Sequence, residues 1–148
     1  MRALAAVFKA ISDETRLSML GLLLREGESC VCDFVEVLGV TQSKASRHLR
    51  YLVRAGLLQD RRKAVWVHFR ILEEPGAPQS AVLCRLRELL PQRVPAEMLE
   101  ALGTWRRRKA RDGVACGPPA AHGHARGGRR AHRPGERVAP AGPEVLRL

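Results

Sequence analysis

The stretch that decides the fold is Thr41–Ile71, which reads TQSKASRHLRYLVRAGLLQDRRKAVWVHFRI. Its first half predicts a helix, because apolar residues recur there at the spacing of one helix face. Thr41 is a residue type that caps helix N-termini, and Gly56 is expected to end the helix. The apolar face consists of Ala45, Leu49, Leu52 and Val53.

The second half of this stretch changes its hydrophobic period from about 3.6 to 2, the alternation of a half-buried strand. Leu57–Arg61 is the expected partner strand, and the turn is predicted at Arg62, Lys63 and Ala64. A basic hairpin therefore follows the helix. The alternating apolar residues are Val65, Val67, Phe69 and Ile71.

The flanking sequence predicts helices on both sides of this unit. Apolar spacing and caps give short helices before it and amphipathic helices after it. The chain is thus expected to be mainly α with a two-stranded β wing, a winged helix-turn-helix over residues 1–109. The predicted flanking helices are Leu4–Ile11, a second from the Ser12-Asp13 cap to about Gly27, Val31–Leu38, Leu83–Leu90 and Met98–Lys109.

Composition points to one globular domain with a polyanionic partner. The 148 residues include 26 Lys+Arg and 15 Asp+Glu, a formal net charge of +11, and are 45% hydrophobic. No apolar run approaches the length of a membrane span or a signal peptide, so we expect a cytoplasmic protein with cysteine thiols rather than a disulfide framework. Residues 110–148 are rich in Gly, Pro, Arg and His and are predicted to be a disordered basic tail.

The polar face of the central helix has the residue types that read double-stranded DNA. Thr41–Ile71 contains eight Lys+Arg and a single acid, Asp60. Side chains near the start of such a helix reach base edges, and long basic side chains bind phosphates. A solvated basic face is the alternative. The base-reading candidates are Gln42, Ser43, Ser46 and Arg47, the phosphate candidates are Lys44, Arg50 and Arg54, and His48, Arg61, Arg62 and Lys63 complete the predicted DNA-binding set.

A second chemical feature is the pair Cys30 and Cys32 at the start of the predicted third helix. A helix N-terminus stabilises thiolates, and two soft thiolates one residue apart can share As(III), Sb(III), Cd(II) or Pb(II). Small cysteines packed in the core are the alternative. An ion held here would pull on the helix that supports the DNA-reading helix.

Four segments carry a resemblance to a known family: Ser12–Leu17, Cys30–Phe34, Ser43–Leu49 and Trp66–Arg70. On these segments, the chain resembles the ArsR/SmtB family of metal- and metalloid-responsive repressors, in its arsenic-sensing branch, over residues 1 to about 109. The resemblance implies a homodimer that represses its own operon and dissociates when arsenite or antimonite binds Cys30 and Cys32, with no other cofactor required. It also implies a dimer interface that contains Leu4, Phe8, Leu83 and Leu86.

The sequence departs from that family pattern at several positions. The third cysteine of the branch is replaced by Val35. Either two cysteines suffice, with a third group from solvent or a thiol, or Cys84 or Cys116 completes the set, although Cys84 is expected to be buried by packing. Ala64 stands where the wing turn often has Gly. The His and acid ligands of zinc-sensing members are missing from the helix after the wing. The open alternatives are a Cd/Pb sensor, a thiol redox switch and, distantly, a small thiol enzyme; we expect no enzyme.

Overall fold

The computed structural model describes residues 1–63 and 66–113 of the chain. Their six helices and three strands confirm the predicted mainly α fold with a β wing. In chain order the elements are α1 (Arg2–Ile11), α2 (Glu14–Glu26), β1 (Glu28–Cys30), α3 (Val31–Leu38), α4 (Gln42–Arg54), β2 (Leu58–Lys63), β3 (Trp66–Ile71), α5 (Pro78–Leu89), a short 3-10 helix (Pro91–Arg93) and α6 (Ala96–Asp112).

The helix-turn-helix is formed by α3, a tight turn and α4. Gly39 ends α3 with φ of 61°, a left-handed conformation that glycine adopts without steric cost. Thr41 then caps α4, because its side chain accepts a hydrogen bond of 3.3 Å from the backbone N–H of Lys44. The apolar face predicted from the sequence is confirmed, since Ala45, Leu49 and Leu52 are fully buried.

The sheet is antiparallel and has three strands in the order β1-β3-β2. The sequence predicted the hairpin of β2 and β3 but missed β1, whose Cys30 pairs with His68 of β3. A three-residue strand has too little alternation to be seen locally, and it forms here on an edge of β3. The predicted turn was also wrong in part: Arg62 and Lys63 belong to β2, and Ala64 lies outside the described residues.

The core lies between α1, α2, α4 and α5 and the inner face of the sheet. Leu83 and Leu86, which the resemblance placed at a dimer interface, are buried in the core of their own protomer. Amphipathic helix α5 therefore uses these leucines to pack against its own chain. Among the apolar side chains left on the surface, Phe8 of α1 is 54% exposed and Leu89 of α5 is 49% exposed.

The last helix, α6, packs along α3 and extends past the predicted domain boundary at 109 to Asp112. Leu102 anchors its first half in the core, where it is almost fully buried. Within residues 1–63 and 66–113, every helix is too short or too polar to cross a lipid bilayer. The predicted tail from residue 114 onward lies outside the described part of the chain.

Candidate nucleic-acid interface and thiol site

The face of α4 opposite the core is polar and basic, as predicted. Because the apolar face is buried against α2 and α3, most of the remaining side chains point outward. Arg47, Arg50 and Arg54 line an open groove along this face. Ser43 and the half-buried Ser46 line the same groove. The predicted DNA-binding residues of α4 that are exposed are Gln42, Ser43, Lys44, Arg47, Arg50 and Arg54.

His48 differs from the rest of this set, because its side chain is only 14% exposed and its Nδ1 lies 3.6 Å from Oδ1 of Asp13. Burial lowers the pKa of His48, although Asp13 opposes the shift. Asp13 also caps α2 by accepting a hydrogen bond of 3.0 Å from the backbone N–H of Arg16. The Arg16 guanidinium in turn lies 4.5 Å from the centre of the Tyr51 ring. His48 therefore lies in the contact between α2 and α4, apart from the exposed basic face.

The wing is basic, and its charges are connected to β1. Arg61 and Lys63 of β2 both form ion pairs with Glu28, the first at 3.5 Å. The hydrogen bond from Lys63 lowers the pKa of Glu28. His68 of β3 also faces Glu28, with 3.1 Å between Nδ1 and Oε1. Arg62 is exposed beside them. This network joins the predicted DNA-binding wing to the strand that ends at Cys30.

Cys30 and Cys32 lie on either side of the junction between β1 and α3. Cys30 is the N-cap residue of α3 and is 2% exposed, whereas Cys32 lies in the first turn of α3 and is half-buried. Both line one cavity of about 310 Å³. The same cavity is also lined by Gln42, Ser46, Arg50 and Arg54 of α4. The structure thus places the cysteine pair directly beside α4.

Asp33 is a functional candidate that the sequence analysis missed. Its carboxylate is 4% exposed, and its Oδ1 accepts hydrogen bonds of 3.0 Å from both Trp105 Nε1 and Lys109 Nζ of α6. Its Oδ2 accepts a third bond of 3.0 Å from the backbone N–H of Cys30. Burial alone would raise the pKa of Asp33, but the hydrogen bonds outweigh burial and lower it.

We call Cys30, Asp33, Trp105 and Lys109 the Asp33 cluster. Lys109 completes it, because its Nζ also lies 3.2 Å from Sγ of Cys30. The signal in the sequence was weak: Trp105 and Lys109 are one helical turn apart, on a helix end whose basic residues are typical of a solvated surface. Their contact with Asp33 depends on how α6 packs against α3.

Cys84, one of the two candidates for a third ligand, does not line the cavity of the cysteine pair. Cys84 is exposed on α5, so the expectation that packing would bury it was wrong. It lines a different cavity, with Leu72, Leu83 and Arg87. Cys116 lies outside the described residues. Among residues 1–63 and 66–113, no group of three or more His, Cys, Asp or Glu side chains is arranged to hold a metal ion.

Comparison with known proteins decides the family. Residues 13–60 match the family described as bacterial regulatory protein, arsR family. The solved structure of HlyU from Vibrio cholerae is 30% identical, and the match covers 60% of this chain and 91% of that chain with a TM-score of 0.51. The chain belongs to the arsR family of bacterial regulatory proteins. Membership confirms the predicted family and the prediction of a regulator rather than an enzyme.

Two relatives of this arsR-family chain have names that refer to different ions. The arsenic resistance transcriptional regulator ArsR1 of Pseudomonas putida is 49% identical over 73 residues, which are 49% of this chain and 56% of the relative. The cadmium resistance transcriptional regulatory protein CadC homolog of Staphylococcus aureus is 39% identical over 70 residues, 47% of this chain and 58% of the relative. The chain thus spans less than two thirds of either relative.

Proposed function

We propose that this arsR-family chain is a transcriptional repressor that binds operator DNA as a homodimer in the cytoplasm and is released by arsenite or antimonite at Cys30 and Cys32. The observation that carries this proposal is the shared cavity, which has the cysteine pair on one wall and Gln42, Ser46 and Arg50 of α4 on another. A ligand on the sulfurs would change the packing of α3 against the helix that reads the operator.

The DNA half of the proposal is supported by the exposed basic face of α4 and by the wing. Arg47 and Gln42 lie in the first half of α4, the part of a recognition helix that meets base edges. Arg50 and Arg54 lie further along the same face, where phosphates are the expected partners. A two-fold dimer would place two such helices in successive major grooves, so the operator is expected to be an inverted repeat.

The inducer half is supported by sulfur chemistry. Arsenite is As(OH)₃ at neutral pH, and each As–S bond forms as one As–O bond breaks. The thiol proton leaves with the departing hydroxide as water, so arsenic keeps its oxidation state. Cys30 and Cys32 can supply two such bonds, and a third position on arsenic would keep its hydroxide or take another thiol. Reduced thiols are required, so Cys32, which is disulfide-bonded in the structure, must first be reduced by a thiol of the cytoplasm.

The test is fluorescence anisotropy of a labelled duplex taken from the promoter of the chain's own gene. Arsenite should release the duplex from the protein, whereas Zn(II) should leave it bound. Release by Cd(II) or peroxide in place of arsenite would favour a cadmium/lead sensor or a redox switch and would overturn the arsenic assignment. Arg47→Ala should weaken the preference for the operator by about 1–3 kcal/mol if Arg47 reads a base.

Serine substitutions test the thiol site with a matched control. Cys30→Ser and Cys32→Ser should bind the duplex as the wild type does, yet arsenite should no longer release them. Cys84→Ser removes the same atom at an exposed position on α5 and should respond to arsenite as the wild type does. If Cys84→Ser abolishes release and the other two variants respond normally, the site is wrongly placed. Cys116→Ser asks whether that residue supplies a third sulfur.

A further inference from the structure

The end of α6 is attached to the segment that carries Cys30 mostly through polar and charged side chains. Arg106 donates to Oγ of Ser29 at 2.9 Å and to the backbone carbonyl oxygen of Glu28 at 3.0 Å. Arg106 also forms an ion pair of 2.9 Å with Glu26, and Arg108 forms one of 2.8 Å with Glu36. These contacts adjoin the Asp33 cluster, in which Trp105 and Lys109 share one carboxylate oxygen.

We infer that Lys109 and Trp105 are positioning residues that hold Cys30 through Asp33 when the operator is bound, and that inducer binding at Cys30 detaches the end of α6 from α3. This inference rests on the proposed function and deepens it. It assigns to α6 a regulatory contact with the thiol site, in addition to its packing on α3.

The coupling follows from the geometry of three groups around one carboxylate. Sγ of Cys30 lies 3.2 Å from the Lys109 ammonium, so an arsenic atom bonded to that sulfur adds a neighbour where the ammonium donates. A sulfur whose lone pair is shared with arsenic is also a weaker hydrogen-bond acceptor. Lys109 must therefore move away from Cys30, and because it shares Oδ1 of Asp33 with Trp105, the indole contact changes with it.

Detachment at this end can occur without opening the core. The last turns of α6 are half-buried or exposed and contact α3 through charged side chains and the Trp105 indole, whereas Leu102 in the first half remains in the core. Asp33 is buried, but the Lys109 side chain is 28% exposed, so water can replace its contacts at a lower free-energy cost than opening the apolar packing around Leu102. The contact made by Lys109 must still be broken before or during coordination, so it opposes inducer binding.

Removing the ammonium should therefore make the protein more sensitive to inducer. In Lys109→Met, we expect the arsenite concentration at half-release of the operator duplex to fall by about threefold to tenfold, the effect of losing one hydrogen bond of ordinary net strength. Lys109→Arg retains a donor and should respond nearly as the wild type does. Arg107→Met is the matched control, because it removes a charge from an exposed position whose side chain contacts Thr104 of α6 itself.

A second measurement follows α6 directly. In a Trp66→Phe background, Trp105 is the remaining tryptophan, and its fluorescence reports the indole contact with Asp33. Arsenite should change this fluorescence over the same concentration range that releases the duplex. In the same background, Cys30→Ser should show no change, because the sulfur that binds arsenic beside Lys109 is gone.

The outcomes separate the inference from the proposed function. A fall in the half-release concentration for Lys109→Met, with unchanged duplex affinity and a Trp105 response, supports the inference. An unchanged or raised half-release concentration overturns it, and so does an equal loss of duplex affinity, which would indicate a purely structural role. If arsenite releases the wild type while Trp105 fluorescence stays constant, only the inference fails. If arsenite never releases the wild type, the proposed function fails as well.

Discussion

Asp33→Asn is the substitution for which the structure gives the clearest expected cost in stability. The carboxylate accepts hydrogen bonds from Trp105, Lys109 and the backbone N–H of Cys30. An asparagine keeps one acceptor oxygen but turns an N–H donor toward groups that are themselves donors. Loss of one partner of a buried ion pair costs about 3–5 kcal/mol, and the 28% exposure of the Lys109 side chain reduces this figure through solvent screening. We expect a loss of about 2 kcal/mol.

The assay is thermal and urea unfolding followed by circular dichroism at one fixed protein concentration. A loss of about 2 kcal/mol corresponds to a fall in Tm of roughly 10 °C for a domain of this size. Because the pKa of Asp33 is lowered in the folded protein, its contribution is fully present above the ordinary aspartate pKa of about 3.9 and is lost as the pH falls through the lowered value. The difference between Asp33→Asn and the wild type should therefore shrink in strong acid.

Glu36→Gln provides the control for this prediction. Glu36 also joins α3 to α6, through an ion pair of 2.8 Å with Arg108, but both side chains are exposed. Exposed pairs contribute about 0–1 kcal/mol, so this variant should unfold close to the wild type. If Asp33→Asn changes the free energy of unfolding by less than about 0.5 kcal/mol, or if Glu36→Gln costs as much, the reasoning from burial is refuted.

Two further predictions concern the core and the pH dependence of stability. Leu52→Ala should cost about 2–5 kcal/mol in urea unfolding, because the side chain is fully buried on α4, while Arg54→Ala on the exposed face should stay within about 0.5 kcal/mol. Equal effects of the two would contradict the assignment of the α4 faces. Burial lowers the pKa of both His48 and His68 in the folded protein. As the pH falls below about 6.5, these histidines are therefore protonated in the unfolded chain before they are protonated in the folded one. The free energy of unfolding should therefore be smaller at pH 5.5 than at pH 7.5, and His68→Gln should reduce that difference; an identical pH dependence in His68→Gln would count against this cause.

Much of the fold could be predicted because its determinants are local in the sequence. The apolar spacing of α4, the cap at Thr41 and the stop at Gly39 all act within about one helical turn. The change of period at the wing likewise identified β3. The same local reasoning placed Cys30 and Cys32 at a helix start, and the structure confirms that position.

Tertiary structure decided which side chains meet across the molecule. The three residues of β1 become a strand because an edge of β3 is available to them, and Cys84 is exposed because α5 buries Leu83 and Leu86 instead. Lys109 and Asp33 are 76 positions apart, so their contact depends on the packing of α6 against α3. Helical spacing and capping act over a few residues, whereas packing brings together residues that no short-range pattern relates. The sequence by itself determined helix α4 with its basic face and the cysteine pair at the start of α3, and only packing joined that pair to α4 and α6.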